Sequence, residues 1–339
     1  MSQYMPEYYH ATRKGHQPMS IQHAQTILLE TENGRTWQPA KPEEIEFTEG
    51  GMVRVANKDI GIITPRVIAA AKNYTKAPVN VAPHPEMTFD QRRLAKERDE
   101  RWALNDQLHN AEFKHNFMFR VSNKGFVTGM VTEKYQHLPF DQLLQMVPSG
   151  WVVPRMQIDT GFCDIHVCHP DRVEDAMFGV RICTSDIGLM RAMMFMEVMV
   201  LVCSNGMVSV KEIEAIKRFH LGGMFGENII DDWHTKVHAL VEDFHVHNVA
   251  TRAALREAAN VEVTEADATA ALLRLEVGPV RIKAALEYAT KNYNKLTKFA
   301  VAQGLTYASQ VKSLRNKDVT AIKQGLQSDL LATQYLVAA

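Results

Sequence analysis

One stretch of the chain, WHTKVHALVEDFHVHN, places His234, His238, Glu242 and His245 together, and these are ligand types that Zn or Mn accepts. Read as a helix at about 100° per residue, the three histidines fall within roughly 40° of one another, with Asp231 and Glu242 close by. The chemistry this implies is metal-dependent hydrolysis, for example by a nuclease. Because the same face borders Val237, Val241 and Phe244, it also fits histidines edging an apolar stripe docked on a core. The segment FCDIHVCHP, from Phe162 to Pro170, is less suited to metal: zinc ligand pairs sit on tight turns, whereas Cys163 and Cys168, five apart on a strand, project to opposite faces. It reads as buried thiols beside surface histidines. Asp159-Thr160-Gly161 matches the tripeptide of aspartic proteases, which need two carboxylates sharing a proton. A single copy, preceded by Arg155, Met156 and Gln157 rather than an apolar strand, reads as a hairpin turn.

The strongest charge signal lies near the C-terminus. Arg281, Lys283, Lys291, Lys295, Lys298, Lys312, Arg315, Lys317 and Lys323 face only Glu287 and Asp318 in that interval, while the whole chain has a net charge of -1. Drawn as one helix over Val280 to Gln303, Lys291, Lys295 and Lys298 share a line opposite an apolar stripe of Ile282, Leu286, Ala289, Tyr293, Leu296 and Ala300. Tyr288 and Phe299 flank the lysines. Cations interleaved with aromatics neutralise phosphates and stack bases, each stacked base contributing about 1–3 kcal/mol in single-strand binders. The candidate nucleic-acid contacts are therefore Lys291, Lys295, Lys298 and Arg315 for phosphate, with Tyr288 and Phe299 for bases. A helix docked by its apolar stripe, with solvated lysines outside, is the plainer alternative.

The elements that would position these residues read as an α+β fold, a central antiparallel meandering β-sheet followed by a largely helical C-terminal half. Residues 1–112 read as an arm or subdomain. It has turn chemistry at Asn33-Gly34 and Gly50-Gly51, a proline-rich linker over Ala77 to Pro85, and a charged helix from Thr88 to Asn110. Residues 113–210 carry the β core: a hairpin from Phe117 to Met130, then strands over Trp151 to Ile158, Phe162 to Val167 and Met177 to Thr184. The apolar run Val198 to Cys203 reads as a further strand, ending in a turn at Ser204-Asn205-Gly206. Residues 211–339 read as helices over Lys211 to Phe219, Ile229 to Val249, a segment capped by Thr264, Val280 to Gln303 and Asp318 to Ala332.

With 339 residues, 46% of them hydrophobic, the chain is long enough for a large core, and its near-neutral charge confines any nucleic-acid affinity to a local patch. Four cysteines make no disulfide framework and point to a reducing, cytoplasmic setting. Arg191 and Glu197 interrupt the most apolar segment, so no membrane partner is expected. The clustered methionines Met190, Met193, Met194, Met196 and Met199 suit a core or the interface of a homo-oligomer, and the latter would be compatible with a virion structural or assembly protein.

Several motifs in order resemble a phage- and plasmid-borne family catalogued as domain of unknown function 932. They are Phe119-Arg120-Val121-Ser122, Val131-Thr132-Glu133-Lys134-Tyr135, Thr184-Ser185-Asp186-Ile187-Gly188, Val202-Cys203-Ser204-Asn205-Gly206, Arg218-Phe219-His220, Asn294 to Ala300 and Gly325-Leu326-Gln327. The similarity spans roughly Phe117 to Leu331. It implies a mobile-element origin and supplies no catalytic residues. Together with the basic stripe it points to an accessory protein of phage-type DNA metabolism, one that binds single-stranded nucleic acid alongside replication, recombination or transcription proteins without catalysing a reaction itself.

Overall fold

The computed structural model describes residues 7–10, 17–76, 87–159, 161–173, 176–185, 187–188, 192–200, 205–208, 229–313, 331 and 334–336. Two sheets organise them. The first is a meander of β9 (Val152–Asp159), β10 (Phe162–Val173), β11 (Ala176–Thr184), β12 (Met193–Val200) and β13 (Asn205–Val208), each antiparallel to the next. The short strands β1 (Glu7–His10) and β2 (Met19–Ser20) pair with the other edge of β9. The architecture is α+β, with a sheet-rich N-terminal half and a helical C-terminal half. Asp159 pairs directly with Phe162, so Asp159-Thr160-Gly161 belongs to a β-hairpin connection.

The second sheet has the order β3 (Thr36–Ala40), β7 (Phe117–Val121), β8 (Phe126–Thr132), β6 (Lys58–Ile63), β5 (Met52–Val55), β4 (Ile45–Phe47). Only β6 and β8 run parallel. The expected hairpin is present as β7–β8, but its partners on both sides come from residues 36–63. Strand pairing thus crosses the boundary expected between residues 112 and 113.

Helices α2 (Pro65–Thr75) and α3 (Phe89–Asn110) cover this sheet and share its core of Phe47, Val53, Val67, Leu104, Leu108 and Phe119. Helix α3 matches the charged helix read from sequence. Thr88 accepts from the Gln91 backbone N–H, and Gln91 accepts in return from that of Thr88, which closes a capping box. The inward side of α3 stitches the sheet edge: Asn105 accepts from the Phe47 N–H at 2.8 Å and donates to the Phe47 carbonyl at 3.1 Å. Occupying the exposed ladder of β4 in this way blunts an edge that would otherwise pair with another chain.

The meander packs one face on α1 (Ile21–Glu32), on the 138–151 loop and on the C-terminal helices α4 (Ile229–Asn260), α5 (Glu265–Arg274), α6 (Pro279–Asn292) and α7 (Lys298–Ser313). Period-two alternation brings Met156, Ile158, Cys163, Ile165, Val180, Ile182, Met194 and Met196 to that face. Met194 and Met196 are therefore core residues. Cys168 lies on the opposite face with Met177, as the spacing from Cys163 implies.

One sequence expectation needs correction. Asn205 and Gly206 do not form a turn: they open β13, where ladder pairing with Val200 and Met199 takes up their backbone. Ser204 lies outside the described residues, as do the expected helix Lys211 to Phe219, the linker Ala77 to Pro85 and most of Asp318 to Ala332.

The joint between the sheets brings two of the motif stretches together. The Tyr135 hydroxyl donates to the Ser185 carbonyl at 2.8 Å, and the Ser185 hydroxyl donates to the Gly161 carbonyl at 2.6 Å. Ile187 then wedges against two glycines of different sheets: a Cβ at either Gly129 or Gly161 would lie 2.3 Å from an Ile187 carbon. Arg66 of α2 lies over the Phe162 ring at 5.7 Å, beside the same wedge.

Candidate functional site

The histidine helix places its members apart in role. In α4, His238 and Glu242 are both exposed and pair with each other, Nδ1 to Oε2 at 3.4 Å. Trp233, Val237, Leu240 and Phe244 form its buried stripe, and Trp233 donates to the Leu143 carbonyl at 3.3 Å. His234 edges this stripe, with its Nε2 shielded from solvent. The His245 side chain lies outside the described residues. Among the described residues no three His, Cys, Asp or Glu side chains converge to hold a metal ion.

The basic stripe is built differently from the single helix drawn from sequence. Helix α6 ends at Asn292, Tyr293 is extended, and α7 begins at Lys298. The break has local causes. The Asn292 side chain donates back to the Tyr288 carbonyl, and Thr297 caps α7 by accepting from the Ala300 N–H at 3.1 Å. The freed segment pairs with 261–263: the Val263 N–H donates to the Leu296 carbonyl and the Lys298 N–H to the Val261 carbonyl, each at 2.9 Å. Lys291, Lys295 and Lys298 consequently sit on three different pieces of an elbow rather than on one helical line.

Within the elbow, Lys295 is ion-paired with Glu262, and that hydrogen bond raises its pKa above the ordinary lysine value. Lys298 is half-buried. Phe299 packs on the core and meets Tyr293 edge-on, centroids 6.1 Å apart. Lys291 is exposed, as is Arg281 further back on α6. Arg315 lies outside the described residues.

The aromatic feature of this region was only half legible. Tyr288 stacks face to face on Tyr307 of α7, with centroids 4.0 Å apart and planes 23° from parallel. Tyr307 keeps 38% of its surface open. The stack exists because α6 and α7 approach closely: a Cβ on Gly304 would lie 2.0 Å from the Ala285 carbonyl oxygen. Gly304→Ala is therefore expected to push the helices apart at a cost of about 1–3 kcal/mol. A lowered urea midpoint together with loss of tyrosine–tyrosine coupling in near-ultraviolet circular dichroism would register it.

Sequence reading missed a charged cluster inside the meander. Asp164 and His166 are both fully buried, on the face opposite Cys163 and Ile165. Burial of His166 corrects the expectation of surface histidines in this segment: the second face of the meander is covered, not solvated. Arg181, opposite His166 on β11, forms a two-pronged bridge to Asp164, Nε to Oδ1 at 2.8 Å and Nη2 to Oδ2 at 2.9 Å. The Cys183 thiol donates to the same Oδ1 at 3.2 Å, and His166 Nε2 lies 3.7 Å from it. Burial, the largest influence on Asp164, pushes its carboxyl upward. The Arg181 charge, the His166 charge and their hydrogen bonds together outweigh it and hold the group well below the usual carboxylate range. The cluster is sealed from solvent and bridges β10 and β11 across the register that pairs Asp164 with Cys183 and His166 with Arg181. The sequence signal was the alternation itself, Asp164-x-His166 against Arg181-x-Cys183.

No family model, curated protein or solved structure matches the chain. Among the described residues no helix is long and apolar enough to cross a membrane.

Proposed function

We propose that the chain binds single-stranded nucleic acid at the α6–α7 elbow, as a non-catalytic accessory protein of phage-type DNA metabolism acting in the host cytoplasm. The observation that carries this reading is the Tyr288–Tyr307 stack, in which Tyr307 is 38% exposed, flanked along α6 by the exposed cations Arg281 and Lys291. Tyr288 lies within roughly 60° of both Arg281 and Lys291 on the α6 wheel, two turns from one and one turn from the other. Neither cation has an ion-pair partner among the described residues. A base packed against the exposed part of Tyr307 would add to the aromatic cluster, while Arg281 and Lys291 meet the phosphates on either side of it. Lys295, partly neutralised by Glu262, and the half-buried Lys298 are secondary contacts. The phage-type setting rests on the resemblance of the ordered sequence motifs to a phage- and plasmid-borne family, and in it replication or recombination proteins would be neighbours.

Fluorescence anisotropy with a labelled single-stranded oligonucleotide tests this. Each phosphate contact on a single strand contributes about 0.7 to the slope of log affinity against log salt, so changing Arg281 and Lys291 together to Ala is expected to reduce the slope by about 1.4. Tyr307→Ala is expected to weaken binding by about 1–3 kcal/mol while leaving the slope unchanged. Absence of binding at low salt, or a double variant that binds with the parent slope, refutes the assignment.

A further inference from the structure

Helix α3 is docked by the side that carries Leu104 and Leu108, and of its three large exposed apolar side chains Trp102 lies on the side turned away from the sheet. Leu104 and Leu108 are buried, Asn105 holds the β4 edge and Arg101 the Glu49 carbonyl beyond it, and Phe89 (81% exposed) and Leu94 (59%) flank that side in the first two turns, whereas Trp102 on the far side is 70% exposed. Trp102 thus offers a large aromatic surface on the side of α3 that the sheet does not use. The residues on its side, Gln91, Ala95, Arg98 and Trp102, recur at spacings of four and three, the spacing of a helix–helix seam.

The composition of that seam identifies what covers it. Over Phe89–Asn110 five cations are matched by five carboxylates, which disfavours a polyanion as the occupant. The order of residues is self-complementary. For two copies crossing antiparallel about a two-fold axis between Arg98 and Asp99, Arg98 of each copy meets Asp99 of the other. The large Trp102 then falls over the small Ala95, and Gln91 faces Asp106. A two-fold interface requires this reciprocity, in which each contact between different residues occurs twice. In the single chain Arg98 reaches only its own neighbour, Nε to Asp99 Oδ1 at 3.3 Å, an exposed contact that is easily exchanged.

We infer that the outer side of α3 is a homodimer interface, in which an antiparallel second copy of α3 buries Trp102 against Ala95 and exchanges the Arg98–Asp99 pair between chains.

Sedimentation equilibrium on the full-length protein, with charge reversals, decides it. The parent chain should be dimeric at micromolar concentration. Arg98→Asp and Asp99→Arg, each alone, place like charges opposite one another twice and should raise the dimer dissociation constant at least tenfold. Mixed in equal amounts, the two variants should reassociate as a heterodimer, and the double exchange within one chain should dimerise like the parent. Trp102 emission should shift to the blue on each association. All positions lie on the solvent side of α3, and far-ultraviolet circular dichroism confirms that each variant is folded. A monomeric parent chain, a single reversal that still dimerises as the parent does, or a mixture that stays monomeric overturns the inference. Any of these would leave a different protein, or a nucleic acid stacking on Trp102, as the occupant.

Discussion

Asp164→Asn should lower the stability of the protein by about 3–5 kcal/mol, the usual cost of removing one partner from a buried ion pair. The variant keeps the shape of the side chain but removes the carboxylate charge that the Arg181 guanidinium, 4% exposed, bridges inside the sheet. The Cys183 thiol also loses its charged acceptor. Replacing both charges by apolar groups of similar volume, Asp164→Leu with Arg181→Met, should be milder than either single change, because neither member of the bridge is then left without the other. Urea denaturation followed by tryptophan fluorescence measures both, and a single variant as stable as the parent would show that the pair contributes nothing. The pH dependence has a definite sign. The Asp164 carboxyl has a folded-state pKa below its ordinary value of 3.8, so its stabilisation is complete above that value and is lost as pH falls through the folded pKa. The parent should therefore lose stability in acid below about pH 4, and the Asn variant should lack that component.

The contrast between Asp164 and its neighbours explains how far the sequence could be read. The strands β9, β10 and β11 were visible because one face alternates in apolar residues, and the β7–β8 hairpin because Ser122-Asn123-Lys124-Gly125 separates two such runs. The same alternation misassigned the second face, since polar residues at every other position ordinarily mark solvent. Only the third dimension shows that Asp164, His166 and Arg181 satisfy one another in the interior. Helix α3 was legible to its capping residue because Thr88 and Gln91 are a local signal. Helix α1 was not read, although Ser20 caps it and Ile21, Ala24 and Leu28 give a helical stripe, because its three buried positions are diluted by glutamines and threonines. At the candidate site, the stripe from Ile282 to Ala300 suggested one helix. Asn292 and the capping Thr297 divide it, which exchanged a line of lysines for an elbow with a tyrosine stack.

Arg120→Ala should cost about 3 kcal/mol and should unfold the two cores at separate midpoints. Arg120 is 3% exposed in β7 of the second sheet, yet its guanidinium bonds to Glu32 at the end of α1, which belongs to the core of the meander. It also lies under the Trp37 ring at 5.1 Å. Glu32 in turn accepts from the Phe140 N–H at 3.1 Å and has Arg35 at 3.8 Å, so one carboxylate joins α1, the 138–151 loop and β7. Without Arg120, Glu32 keeps Arg35 and a little solvent, which places the loss at the low end of the range for buried pairs. What disappears is a buried ionic tie between the two hydrophobic clusters. Calorimetry on the parent should show more overlap between transitions than on the variant, and hydrogen exchange should report lower protection in α1 and β3 while β10 and β11 are unchanged. Glu32→Gln, which retains a hydrogen-bond acceptor for Arg120 and for the Phe140 N–H, should fall between the two. An Arg120→Ala variant that melts in one transition at the parent temperature would move the coupling of the cores to the Ile187 wedge between Gly129 and Gly161.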